Sequence, residues 1–447
     1  MNEEKKDSKQ KPDNTEDDKG FSFEDIQKQI QNALKNLGGA SSFIIPINGK
    51  RPQQGPEKPI EEKEKDDSKE ILEVIKNFKF KPKEIKEYLD RYVIKQDEAK
   101  RVLSVAVCDH YNNIRRCLAG NEKSSSPLEY VKQNILLLGP TGVGKTYLIK
   151  CLANLIGVPF VKADATKYSA TGYVGSNVED LVRDLVKIAD GNAELAQYGI
   201  IYIDEIDKIA SHTVDDGRDV SGKGVQINLL KLMEDSEVNM LSQTDMFSQF
   251  ESMMDTMHGK GKNKKRTINT KNILFIVSGA FENLSEIIKK RMHGAKIGFD
   301  KEGNGDKARS VYLKQANTAD FIKYGFEPEF IGRLPVRVSC DELTPEDLEL
   351  IMTSSEGSIL RQYIVDFEGY GIMFGLDKDA ISFIAKEAYK QQTGARGIMT
   401  VMEKIFRNFK YELPSTKINK LYATLDTVSE PEKEIQKMLL PKPKRQK

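Results

Sequence analysis

Two short runs in this 447-residue chain carry side chains whose types and spacing suit phosphate chemistry. The first is "GPTGVGKT", Gly139 to Thr146. Glycines at this spacing let backbone N–H groups curl round phosphate oxygens where a helix begins. Gly139, Pro140, Thr141, Gly142, Val143 and Gly144 would form the cradle. The Lys145 ammonium would neutralise the β- and γ-phosphates of ATP, and the Thr146 hydroxyl would reach Mg²⁺. The second run, "GIIYIDE", ends an apolar stretch in two acids. Asp204 would hold the metal through a water, while Glu205 would orient and polarise an attacking water. A "DE" pair after a strand is weak evidence alone; beside a phosphate loop it is strong.

Two arginines complete the candidate chemistry: Arg333 in "EPEFIGRLP" and Arg396 in "TGARGI". In isolation, either reads equally well as half of a structural ion pair. The functional reading places Arg333 on the γ-phosphate held by a neighbouring subunit, a role worth about 10³–10⁵ in rate. Arg396 would touch the nucleotide of its own chain.

These residues need a scaffold. "NILLLG" reads as a buried strand running into the phosphate loop, and "TYLIKCLANLIG" as the helix after it. "GIIYIDEIDKIA" and "KNILFIVSG" add further apolar strands between helical stretches. Strand, helix and strand in alternation predict a parallel sheet with helices on both faces, an α/β fold. After "EFIGRLPV" the pattern turns helical, from "TPEDLELIM" to "VMEKIFRNF", and predicts a smaller, mainly helical domain. The expected boundaries are 1–70 for a disordered or linker extension, with a short amphipathic helix near 22–37; 71–340 for the large domain, with a mobile insertion over 235–271; 341–425 for the small domain; and 426–447 for a flexible basic tail.

The totals exclude several classes. A formal net charge of +1 argues against bulk nucleic-acid binding. Cys108, Cys117, Cys151 and Cys340 are too scattered for a disulfide framework or a zinc site, so no zinc is expected. No run approaches the roughly 18 apolar residues of a membrane span. "MNEEKKDSKQ" does not read as a targeting segment, which leaves the cytoplasm as the expected compartment.

One tetrapeptide fits none of this. "GYVG", Gly172 to Gly175, puts an aromatic and an aliphatic residue between glycines, which suits neither a core strand nor an ordinary surface loop. Together with "DRYVIKQDEAK", "GPTGVGKT", "ADATKYSATGYVG", "GIIYIDEIDKI", "RDVSGKGVQ", "IGF", "EFIGRLPV" and "TGARG", in that order, it makes roughly Pro82 to Pro414 resemble the ClpX family of AAA+ protein unfoldases. The resemblance implies an AAA+ P-loop ATPase that forms a homo-hexamer, unfolds tagged proteins and feeds a ClpP-type peptidase. It implies that Tyr173 and Val174 grip substrate in a central pore, and that Arg218 and Val220 belong to a second pore loop. It further implies that Val93 and Ile94 line the adenine pocket, that Arg396 links nucleotide state to domain angle, and that Ile297, Gly298 and Phe299 dock on the peptidase.

The chain also departs from that family. The four-cysteine zinc domain has no counterpart among these cysteines, which puts adaptor use in doubt. Lys95 stands where glycine is usual and would alter the edge of the nucleotide pocket. "MFSQFESMMDTMHGKGKNKKR" replaces the usual pore-entrance loop. Ser278 falls near the place of the polar sensor residue and is left out of the site. Four alternatives stay open: a remodeller that works without a peptidase, a relative of the peptidase partner HslU, an AAA+ enzyme that remodels nucleic acid, and a nucleotide-gated scaffold without turnover, against which Glu205 and Arg333 argue. HslU-like chains carry a large extra domain that does not fit here, and no nucleic-acid-binding module is evident.

Overall fold

The computed structural model describes residues 73, 75–118, 131–169, 176–210, 213–214, 217–218, 220–240, 267–294 and 309–440. The expected helix near 22–37, Tyr173, Val174, Ile297, Gly298 and Phe299 lie outside them. At the centre is a five-stranded, all-parallel sheet: β1 (Ile135–Leu138), β2 (Phe160–Asp164), β3 (Ile200–Asp204), β4 (Leu274–Gly279) and β5 (Val336–Ser339), in the order β2-β3-β4-β1-β5.

Side chains alternate across such a sheet, so each strand feeds two cores. Ile135, Leu137, Ile200, Tyr202, Leu274 and Ile276 face one side. There they meet α1 (Pro82–Tyr92), α2 (Asp97–Leu118) and α3 (Lys145–Ile156). Leu136, Leu138, Ile201, Ile203, Phe275 and Val277 face the other, against α4 (Asp180–Ile188), α5 (Val220–Met233) and α6 (Leu284–Gly294). This double coverage is why the strands read as unbroken apolar runs.

A short helix, α7 (Pro328–Gly332), leads into β5, and the chain then turns helical. Thr344 caps α8 (Pro345–Thr353) with a reciprocal bond to Asp347 and with Pro345 at the first position. Next come α9 (Ile359–Glu368), β6 (Met373–Leu376), α10 (Lys378–Lys390), α11 (Arg396–Glu412) and β7 (Lys420–Ala423). Phe367 and Phe406 pack on Phe374 with ring centroids 4.6 and 5.0 Å away. The apolar layer beneath α1 and α2 continues unbroken into this helical region.

Two expectations need correction. The chain is not loose from 426 to 440: helices cover Leu425–Ser429 and α12 (Pro431–Leu439). Buried Val428 and Ile435, masked in sequence by charged neighbours, hold that segment down. The segment 235–271 is ordered at both ends, where Glu237–Asn239 pairs antiparallel with Thr267–Asn269. Val238 and Ile268 are buried beneath the ribbon; residues 241–266 lie outside the described set.

Candidate nucleotide site

The phosphate loop leaves the C-terminal end of β1 and opens α3 directly at Lys145. Gly142 and Gly144 have φ of +78° and +95°, a region that side chains disfavour, and this lets the backbone amides turn inward. Lys145 is buried, and its Nζ donates to the carbonyls of Gly139 at 2.6 Å and Pro140 at 2.8 Å. Burial pulls its ammonium below the usual lysine range, and the nearby charge of Arg396 acts in the same direction. An anion in the cradle would act the other way, favouring the charged ammonium.

Thr146 donates to Asp204 Oδ2 at 2.8 Å, which joins the phosphate loop to the end of β3. Ser278 donates to the other carboxylate oxygen at 2.6 Å, and the Tyr202 hydroxyl lies 2.6 Å from Ser278 Oγ. Burial alone would raise the Asp204 carboxyl. The hydrogen bonds from Ser278, Thr146 and the Glu205 N–H outweigh it and hold the group below the ordinary carboxylate range. Asp204 is therefore a charged acceptor beside a hydroxyl. That donor set fits Mg²⁺, which in phosphate sites takes one or two carboxylates and fills the rest of its shell with water and phosphate. Among the described residues no group of three or more His, Cys, Asp or Glu side chains is placed to hold a metal ion, so the protein's share of the shell here would be Asp204 and Thr146. Glu205 follows at φ +57°, exposed.

Sequence reading left Ser278 and Tyr202 out of this cluster. Their partnership depends on how β3 and β4 sit in register, which no local pattern reveals.

At the rim, Val93 is buried beside Gly144 and Ile94 is half-buried. Gln96 donates to the Asp341 carbonyl at 2.8 Å and accepts from the Asp341 N–H at 2.7 Å. Lys95 turns to the helical region, donating to Asp347 at 2.6 Å and to the Glu342 carbonyl at 2.7 Å. Both sit at φ +60°. The helical region also reaches the phosphate loop itself: the Ala395 N–H bonds to the Gly142 carbonyl at 2.9 Å. Arg396, the first residue of α11, is exposed next to that contact.

Arg333 is not part of this cluster. Asn134, at the opposite end of β1, donates to its carbonyl at 3.0 Å. A four-residue strand thus separates Arg333 from the loop, about 13 Å at 3.3 Å per residue. Arg218 ends a two-stranded ribbon, Thr213–Val214 with Gly217–Arg218, and Val220 begins α5. The segment that contains Tyr173 and Val174 is closed at its neck by a bridge from Tyr168 to Ser176.

Residues 131–337 match the model of the AAA domain (Cdc48 subfamily). Curated relatives named "ATP-dependent Clp protease ATP-binding subunit ClpX" align over most of the chain. Those of Borrelia duttonii (strain Ly) and Borrelia recurrentis (strain A1) are each 42% identical over 350 residues, 78% of this chain and 78% of theirs. The chain belongs to the ClpX family. The ClpX of Treponema denticola is also 42% identical, over 75% of this chain and 78% of its own. With the AAA domain, this membership makes the protein an ATPase with an AAA+ α/β fold. No helix among the described residues is long and apolar enough to cross a membrane.

Proposed function

We propose that the protein is the ATP-driven unfoldase of a homo-hexameric ring, drawing tagged or unfolded proteins along the ring's axis and passing them to a ClpP-type peptidase. The observation that carries this reading is the separation of Arg333 from its own phosphate loop. An exposed arginine at the wrong end of the sheet cannot serve the site in its own chain. It can serve the site of a neighbour, which makes the active centre a property of an assembly. The names of the relatives support the peptidase partnership.

In this reading Val93 and Ile94 hold the adenine, and the amides of the loop from Gly139 to Gly144 receive the phosphates. Lys145 exchanges its two carbonyl partners for phosphate oxygens. Thr146 and Asp204 would hold Mg²⁺, whose chemistry when bound is to neutralise charge on the β- and γ-phosphates. Glu205, exposed and one residue beyond Asp204, orients the attacking water and accepts its proton. Arg396 senses the same nucleotide from the helical region. Because the Tyr168–Ser176 neck follows β2 at the same end of the sheet, Tyr173 and Val174 would move with the site and drag substrate. The stretch at Arg218 and Val220 would form a second contact, and Ile297, Gly298 and Phe299 would dock the ring. The reading includes the domain division near residue 340.

The test combines the purified protein, ATP, a ClpP peptidase and a folded, tagged substrate. Substrate loss that requires ATP is expected. Tyr173→Ala should hydrolyse ATP yet unfold poorly. Phe299→Ala should unfold the substrate without degrading it. Unimpaired unfolding by Tyr173→Ala would remove the pore-grip assignment.

A further inference from the structure

The arginine assigned above to a neighbour's γ-phosphate is already engaged within its own subunit. Arg333 Nη2 lies 2.7 Å from Glu234 Oε1, with the two side chains 51% and 40% exposed. The backbone on each side of this pair is fixed. Asn134, almost fully buried, holds the Arg333 carbonyl, and the Arg333 N–H bonds to the carbonyls of Glu329 and Phe330. At the start of α7, the Glu327 N–H donates at 2.8 Å to Gln226, a fully buried residue of α5 whose Nε2 donates to the Ile209 carbonyl at 2.9 Å. On the other side, the Glu234 N–H bonds to Leu230, and its carbonyl accepts from Thr270 Oγ1 at 2.9 Å. Both main chains are tethered by these hydrogen bonds, while the guanidinium is half exposed.

We propose that Glu234 is a parking carboxylate for this arginine. It holds the guanidinium while the neighbouring site lacks a γ-phosphate and yields it when ATP arrives there. The exchange is of one anionic partner for another, with no covalent change. An exposed ion pair is weak, and a γ-phosphate offers more charge and more acceptor oxygens, so phosphate wins the competition. ADP lacks the group that wins it, so the arginine returns to Glu234 after hydrolysis. Glu234 is thus a positioning residue acting through Arg333. Since it directly follows α5, it also ties the arginine's state to the helix that begins at Val220.

This inference rests on the assignment of Arg333 to a neighbour's site, and the experiment separates the two. ATP hydrolysis is measured for the wild type, Glu234→Gln, Arg333→Ala and the double variant, with ring formation checked by sedimentation. Arg333→Ala should be nearly inactive. Glu234→Gln should raise kcat/KM by about two- to fivefold, the range expected when a weak exposed pair stops competing. The double variant should match Arg333→Ala. A merely structural pair would lower the melting temperature of both single variants without raising turnover. An inactive Arg333→Ala with Glu234→Gln at or below the wild-type rate overturns the parking role alone. Full turnover by Arg333→Ala overturns the trans assignment and the parking role with it.

Discussion

Glu205 holds a left-handed backbone conformation, φ +57°, that costs a non-glycine residue on the order of 1 kcal/mol. Strain of this kind persists only where the surroundings impose it, and here it places the carboxylate just beyond Asp204. On the proposed role of Glu205, Glu205→Gln keeps the shape and loses the base, so ATP should still bind in a filter or fluorescence assay. Phosphate release should fall by about 10²–10⁴, the usual share of general acid–base catalysis. Ser278 acts one step further back. Its bond to Asp204 favours the charged carboxylate, so Ser278→Ala raises the Asp204 pKa toward the ordinary value. The acid limb of the hydrolysis profile should then move to higher pH, by less than about one unit; an unmoved limb would show that Ser278 does not tune the site. The phosphate loop, Asp204 and Glu205 were legible from the sequence because their motifs are local. Ser278 and Tyr202 were not, because a hydroxyl becomes a carboxylate's partner only through the pairing of β3 with β4.

The elements were legible to the same degree and for the same reason. Buried parallel strands announce themselves as apolar runs, and glycine-rich turns mark their ends. The parallel pairing of β6 with β7 brings together Phe374 and Leu421, residues too far apart in the chain for any window to connect. The links between the helical region and the site are equally remote. Lys95 meets Asp347, and Gly394 packs on Gly142. Gly394 has φ +61°, and a β-carbon there would lie 2.6 Å from the Gly142 carbonyl oxygen. Gly394→Ala should therefore raise the KM for ATP by about tenfold or more, since left-handed strain near 1 kcal/mol adds to that clash. The phosphate loop itself would be untouched in sequence. Titration of nucleotide binding checks this, and an unchanged KM would mean that the contact is incidental.

For the whole molecule, the separation of Arg333 from its own loop leads to a mixing experiment. On the proposed reading, Glu205→Gln subunits keep a usable arginine, and Arg333→Ala subunits keep a usable base. Neither should hydrolyse ATP well alone. In rings formed from an equal mixture, a site works when an intact Glu205 meets an intact Arg333 from next door. Random cyclic assembly then restores about a quarter of the wild-type rate, whereas a site complete within one chain would recover nothing. The apolar layer that runs from the sheet face beneath α1 and α2 into the helical region constrains such a machine in another way. Two lobes that share one interior cannot melt one at a time. Heat or denaturant should find a single cooperative body, and whatever flexing the catalytic cycle demands must be taken up by side chains sliding past one another rather than by a seam coming apart.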